Sequence, residues 1–415
     1  MRAKILSCCL FLLAPTLGAV AAEGPPPQAI HLKDIDHLLA ERNRSLIAAR
    51  RATAAGEAGI DIAAGRPNPV VSLNTSRLNS RRMGAGGDLD TILRIDQPIE
   101  RGGKRDLRLA VADSLLQANR SDESEMLRQQ RLMTIQAYFD LKAAEDKNRF
   151  ADESVLMARK VMAKAELRLK AGDLSPADAA RIKTDTLKAE SDAHQATVDL
   201  QRSRLLLAQL LAMESDAPRL ATADPWPQLP PLPASQPDIE QRPDIVAARL
   251  RQEAAERAIG LAKSQQVRDV TVGAQLEHSP DVLNNPTLGF GISIPLFTGY
   301  DYRGEIRRAY VDRDSANDEL ARLRATAAAE FEQARFEAER LSERARQLHE
   351  EALPSARKAS DGVQFAFNHG AASVLDVIDA RRSLYAIETD TANALADAAK
   401  SRAAWAAALN RPDLP

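Results

Sequence analysis

Beyond position 9 the sequence contains no cysteine; its only two, Cys8 and Cys9, lie in an apolar stretch near the N-terminus. A chain without other thiols has no disulfide framework, no thiolate metal site and no cysteine nucleophile. Aromatic residues make up 4% of the chain, too few for a core of bulky side chains. Lys and Arg number 56 against 58 Asp and Glu, a net charge of −2. Nucleic-acid proteins carry a basic surplus that neutralises phosphates, so that class is excluded. Long apolar runs are also missing. The run Ile5 to Leu13 falls short of the roughly 20 residues of a membrane-spanning helix. With Arg2 and Lys4 before it and Ala19-Val20-Ala21 after it, it predicts a secretory signal peptide over residues 1–22. Cys8 and Cys9 sit inside the apolar region rather than after it, which argues against a lipid-anchor site, and both leave with the signal. No GxxxxGK[ST] loop is present, nor a Ser-His-Asp order with supporting motifs. The six histidines, His31, His37, His194, His278, His349 and His369, show no paired ligand spacing. The expectation is a non-enzyme with no cofactor and no metal site of its own.

What is present is a repeat. SLIAAR at Ser45 is answered by DIVAAR at Asp244, and PVVSLNTS at Pro69 by DVTVGAQL at Asp269. RIDQPIERGG at Arg94 aligns with GISIPLFTGY at Gly291, ESVLMARK at Glu153 with EALPSARK at Glu351, and GDLSPAD at Gly172 with GAASVLD at Gly370. All five share one order and a separation of roughly 199 residues, the mark of a duplicated unit. The predicted organisation is a first repeat over 23–215, a Pro-rich linker over 216–243 and a second repeat over 244–415. The prolines of the linker cannot continue a helix and read as an extended crossing between repeats.

Each repeat reads as a helix (32–64 and 238–264), two short strands, a very long helix (105–170 and 302–368), a tight hairpin and a final helix (176–213 and 374–409). In the strands, Val270, Val272, Ala274 and Leu276 alternate with Thr271, Gly273, Gln275 and Glu277; Leu288, Phe290 and Ile292 alternate with Gly289, Gly291 and Ser293. Thr91, Leu93 and Ile95 alternate with Ile92, Arg94 and Asp96, and Val71 and Leu73 with Ser72 and Asn74. Period two over about ten residues fits strands with lipid on one side and water on the other, and equally a half-buried soluble hairpin. Four strands cannot close a barrel, and an open edge cannot sit in lipid. Either the sheet is soluble or three chains pool their strands into a closed, even-numbered barrel.

A helix of the predicted length reaches on the order of 100 Å. Runs such as FEQARFEAERLSERARQLHEE from Phe331 pair an Ala and Leu stripe with charged outer faces, as in coiled coils. Pro354, opposite Leu156 of the first copy, should bend or interrupt its helix. The hairpins carry a stop–start code. Gly172 and Gly370 can take the left-handed conformation that ends a helix. Ser175 and Ser373 can cap the next, with Asp178 and Asp376 three residues on suited to a capping box and to the positive helix end. Asp379 lies one turn beyond Asp376 and adds a second carboxylate to that face.

Taken together, the duplicated layout, Gln97-Pro98-Ile99 and Ile294-Pro295-Leu296 at the strand ends, and the tip motif from Gly370 to Asp379 resemble the TolC family of outer-membrane efflux proteins over essentially the whole mature chain. The resemblance implies a mainly α fold with a small β part. It further implies a homotrimer with a twelve-stranded β-barrel in the cell outer membrane and a long α-helical barrel in the periplasm. Its implied role is a passive exit duct for an inner-membrane RND-type pump, reached through a periplasmic adaptor (membrane fusion) protein. Asp376 and Asp379 match the family's acidic channel gate; Gly172, Leu174, Ser175, Gly370 and Ser373 match the tips that meet the adaptor. Ala372 stands where some members carry a locking arginine. The run QPIERGGKRDLRLAVA from Gln97 is similar to the cobalt-zinc-cadmium resistance branch, implying divalent heavy-metal cations as cargo. Drugs or a secreted protein as cargo, or a periplasmic coiled-coil adaptor or scaffold, are the alternatives.

Overall fold

The structure, a computed structural model, describes residues 28–76, 90–233, 237–278 and 286–411. The expected signal peptide at 1–22 lies outside the described residues. Strand β1 (Gln28–Ile30) is followed by helices α1 (Ile35–Arg42) and α2 (Arg44–Ala64), then strands β2 (Val70–Ser76) and β3 (Asp90–Ile99). Helix α3 (Lys104–Ala171) runs for 68 residues, about 100 Å at the α-helical rise, and the chain returns as α4 (Pro176–Leu210). Strand β4 (Leu220–Thr222) leads to the second half. There α5 (Pro243–Ser264), β5 (Val270–His278), β6 (Thr287–Ser293), α6 (Arg303–Gln347), α7 (Leu353–Asn368) and α8 (Val374–Ala408) repeat the order helix, two strands, long helix, return helix.

Strands β2-β3-β5-β6 form one antiparallel sheet in that order. Its register sorts side chains into rows across all four strands. Val71, Ile95, Ala274 and Phe290 share one row; Leu73, Leu93, Leu276 and Leu288 share the next row on the same face. The opposite face carries Ser72, Arg94, Gln275 and Gly289, then Val70, Asp96, Gly273 and Gly291. The apolar face is bare: Phe290 is 80% and Ile292 72% exposed. On the polar face Arg94 Nε donates to Asp96 at 2.7 Å. This pair lies over Gly273, where a Cβ would come within 2.2 Å of Asp96 Oδ1. Glycine there leaves room for the ion pair on the polar face of the sheet.

The junction from β3 into α3 uses the QPIERGGKR run. Gly102 (φ +75°) and Gly103 (φ +69°) are both left-handed, and a Cβ on Gly102 would lie 2.8 Å from Val267 Cβ. Lys104 Nζ donates to both carboxylate oxygens of Asp269 at 2.8 Å, the Arg101 N–H donates to the same carboxylate, and Arg108 pairs with Glu100. The motif is thus a strand-to-helix joint in which Glu100, Lys104 and Arg108 are paired within the chain.

Three features depart from the expected elements. The predicted helix at 32–64 breaks at Asn43, whose Oδ1 accepts from the Leu46 N–H at 3.0 Å while its Nδ2 donates to Leu210 O at 2.9 Å. One buried amide therefore caps α2 and ties its start to the end of α4. Pro354 does not end its helix. A π-helical turn, Leu348–Ala352, precedes it, with the Leu353 N–H bonded to Leu348 O. The wider turn makes room for a ring that would otherwise crowd the carbonyl four residues back.

The third departure is the connection between the halves, which is a bound strap rather than a bare extended crossing. β4 pairs in parallel with β1. Asp224 accepts from the Leu32 N–H at 2.7 Å and from Tyr138 Oη at 2.9 Å, and meets His31 Nδ1 at 3.0 Å. Trp226 Nε1 donates to Asp146 at 2.8 Å, and the indole stacks on Phe139. Burial disfavours the Asp224 carboxylate, but the bonds from Leu32, His31 and Tyr138 outweigh it and hold its pKa below the ordinary value. Its contribution to stability is complete above the unfolded pKa of about 3.9 and is lost as the pH falls through the lower folded value. Asp224→Ala should therefore lower unfolding stability by about 1–3 kcal/mol at neutral pH. Urea unfolding in detergent should show the gap to the unsubstituted protein closing below about pH 4.

Candidate functional site: the helical tips

Helix α3 ends at Gly172 (φ +83°), where the Asp173 N–H reaches back to Arg168 O at 2.9 Å. Helix α7 ends the same way: Gly370 has φ +77°, and the Ala371 N–H bonds Ala366 O at 2.8 Å. Space around either glycine is open, so it is the left-handed backbone that requires glycine. Ser175 Oγ then accepts from the Asp178 N–H at 3.1 Å and Ser373 Oγ from the Asp376 N–H at 3.2 Å. Asp376 closes the box by accepting from the Ser373 N–H at 2.9 Å. The Ser373 hydroxyl and N–H hold the fully exposed Asp376 carboxyl below the usual carboxylate range, so it is ionised at neutral pH. Asp379 is exposed one turn along α8 and makes no hydrogen bond or ion pair to another described residue.

Behind these polar ends lies a small core of Val161, Ala165, Ile182, Phe367, Val377 and Ile378, drawn from α3, α4, α7 and α8. Leu174 and Ala372 pack half-buried against it. Leu174 thus faces the core more than the surroundings, whereas Leu375 is 52% exposed.

The same geometry brings together three residues that the sequence patterns do not single out. Asp185 on α4 is 3% exposed. It pairs with Arg381 and, at 2.9 Å, with Arg382, both on α8. Asp185 occupies the apolar face of α4 between Ile182 and Ala189, and a carboxylate in a buried stripe is the local signal that such a partner exists. Burial and the neighbouring Arg382 push the Arg381 pKa down. These pairs bind α4 to α8 directly behind Asp376 and Asp379. Among the described residues no group of three or more His, Cys, Asp or Glu is placed to hold a metal ion. The candidate site is a pair of capped, polar hairpin ends over a small apolar core.

Among the described residues, the chain joins an apolar-faced sheet with open edges to helices about 100 Å long that end in acidic hairpins. Residues 236–411 match the family model described as outer membrane efflux protein. Over 354 residues the chain is 27% identical to the cobalt-zinc-cadmium resistance protein CzcC of Cupriavidus metallidurans, covering 84% of this chain and 82% of that one. It is 25% identical to the pyoverdine export outer membrane protein OpmQ of Pseudomonas putida, over 68% of this chain and 62% of that one. Its fold matches the crystal structure of the outer membrane protein VceC from Vibrio cholerae with a TM-score of 0.74 and 21% identity, covering 92% and 96% of the two chains. In fold the chain is TolC-like.

Removing the Asp185 carboxylate strands Arg381 in the tip core. Asp185→Ala is expected to cost about 3–5 kcal/mol of local stability, and replacing both partners by apolar residues to recover most of it. Amide exchange around the two hairpins should accelerate in Asp185→Ala and return toward the original rate in the Asp185→Leu, Arg381→Met double variant. Equal exchange in all three would remove the pair from the account of tip stability.

Proposed function

We propose that the chain is the outer-membrane component of a tripartite efflux system, a passive exit duct for divalent heavy-metal cations. The observation that carries the duct is the sheet: one face apolar, the other polar, and neither β2 nor β6 paired at its outer edge among the described residues. In lipid, unpaired backbone groups cost several kcal/mol each, so an open sheet has to close with other copies. Three copies, each giving the four strands of one duplicated chain, make a barrel of even strand number. The Arg94–Asp96 pairs then line the water-filled side. Energy comes from an inner-membrane RND-type pump, delivered through a periplasmic adaptor that engages the hairpins at Gly172, Leu174, Ser175, Gly370 and Ser373.

Asp376 and Asp379 act as the gate. Three copies set rings of carboxylate at the narrow end of the helical barrel, and acidic rings favour cations over anions. Because the Asp376 carboxylate also caps α8, splaying the tip helices moves gate and cap together. With Ala372 at the hairpin, Asp185 with Arg381 and Arg382 is the charged contact that keeps α4 and α8 together in the closed tip. Likeness to the cobalt-zinc-cadmium resistance protein along most of both chains supports metal cations as cargo. Likeness to the pyoverdine exporter supports the second reading, a duct for an organic metal chelator.

In planar bilayers Asp376→Ala with Asp379→Ala should reduce cation selectivity and abolish block by multivalent cations; unchanged selectivity and block reject the gate. A deletion strain should lose resistance to zinc, cobalt or cadmium and regain it with the intact gene. Loss confined to siderophore secretion would transfer the cargo to the second reading.

A further inference from the structure

A cavity of about 1090 Å³ lies at mid-height, where α1, α3, the end of α8 and the inter-repeat strap meet. That is the upper end of the range of ligand pockets, about 300–1,000 Å³. Its apolar wall is formed by Leu127, Ile135, Phe139 and Pro227, and Arg128, Arg131, Arg402 and Arg411 bring cations to it. Two of these are already paired: Arg128 with Glu125 at 2.7 Å and Arg131 with Asp36 at 2.8 Å.

Arg402 is not. It is 6% exposed, and its one hydrogen bond among the described residues runs from Nη1 to Pro230 O at 2.7 Å. No carboxylate of the described residues pairs with it, and both burial and the charge of Arg346 work against its protonated form. A buried guanidinium normally has an anionic partner, because desolvating an unpaired charge is costly. Here the unpaired charge borders an open cavity. Arg411, exposed at the same cavity, likewise has no ion pair among the described residues.

The side of the wall on which the cavity opens follows from the strap. Phe139 lines the cavity and stacks on Trp226 of the strap with ring centroids 6.2 Å apart. This step rests on the duct reading: a strap laid across the inner wall would obstruct the bore, so strap and cavity belong to the outer wall. Arg128 lies roughly 36 Å down α3 from Lys104 at the α-helical rise, well below the outer membrane. An outer wall at that depth faces the cell-wall polymer, whose stem peptides combine free carboxylates with alanine methyls. That chemistry matches a cavity with an apolar wall, whose carboxylates Asp36 and Glu123 are already paired with Arg131 and Arg50 and whose Arg402 and Arg411 have no ion pair among the described residues.

We propose that this cavity recognises the carboxylate of a cell-wall stem peptide, with Arg402 as its anchoring residue and Arg411 at its rim. Calorimetry on the full chain in detergent at low salt tests this with three probes: a disaccharide-tetrapeptide muropeptide, linear hexaglutamate and inorganic phosphate. The muropeptide should bind in preference to the other two. Arg402→Gln should weaken it by about tenfold or more, the value of a lost charged hydrogen bond, and Arg402→Lys should retain part of the affinity. Arg411→Gln, exposed and outside the packed core, should weaken it a few-fold and tests the site even where Arg402→Gln fails to fold. Preference for hexaglutamate assigns the cavity to an acidic protein segment and overturns the proposal, as does equal binding of phosphate or no binding at all. Bilayer conductance of the same variants should be unchanged. A protein that binds muropeptide but forms no pore defeats the duct reading and leaves the site standing; a conducting pore that ignores muropeptide defeats the site alone.

Discussion

A four-stranded antiparallel sheet that is apolar on one whole face and, among the described residues, hydrogen-bonded on neither outer edge is penalised in either solvent. Water would be exposed to Phe290, Leu288 and Ile292 on a surface where nothing covers them. Lipid would strip the outer edges of β2 and β6 of hydrogen bonds. Closure with other copies removes both penalties at once. The rest of the molecule is compatible with that solution: each strand pair continues into long helices through joints, such as Gly102-Gly103-Lys104, whose charges are satisfied within the chain.

Helices of this length gain little from intrinsic propensity alone and depend on tertiary packing. The packing is built from small residues, with Ala137, Ala144, Ala208, Ala396 and Ala399 in the largest core cluster. Small side chains let helices approach closely, but each buries little area. Buried polar contacts supply the rest of the specificity at fixed levels. Asn43 ties the start of α2 to the end of α4, the Asp224 cluster ties the strap to α3, and Asp185 with Arg381 and Arg382 sits at the tips. Such contacts are costly to half-break. They resist gradual loosening of the helix pairs they join.

How much of this was legible depended on range. The strand alternation around Val270 and Leu288 and the long helices were readable because period and composition are local properties. The break at Asn43 was not, since its partner Leu210 is 167 positions away. The strap was read as an extended linker because its prolines are visible locally, while His31 and Asp224 are separated by 193 positions. Asp185 gave a signal, a carboxylate on an apolar stripe, but its partners on α8 lie 197 positions away for Arg382. The QPIERGGKR run was legible as a family mark, yet its physical role as a strand-to-helix joint needed Val267 and Asp269 from the other half.

The central claim is that the face bearing Phe290 meets lipid while the face bearing Gly289 and Gln275 meets water. Because no cysteine follows position 9, single cysteines can be placed along β5 and β6 and treated with a membrane-impermeant maleimide in intact outer membranes. Leu288→Cys, Phe290→Cys and Ile292→Cys should resist the reagent and accept a lipid-soluble one, while Gln275→Cys should react from water. Uniform reaction of all four with the aqueous reagent would contradict the account.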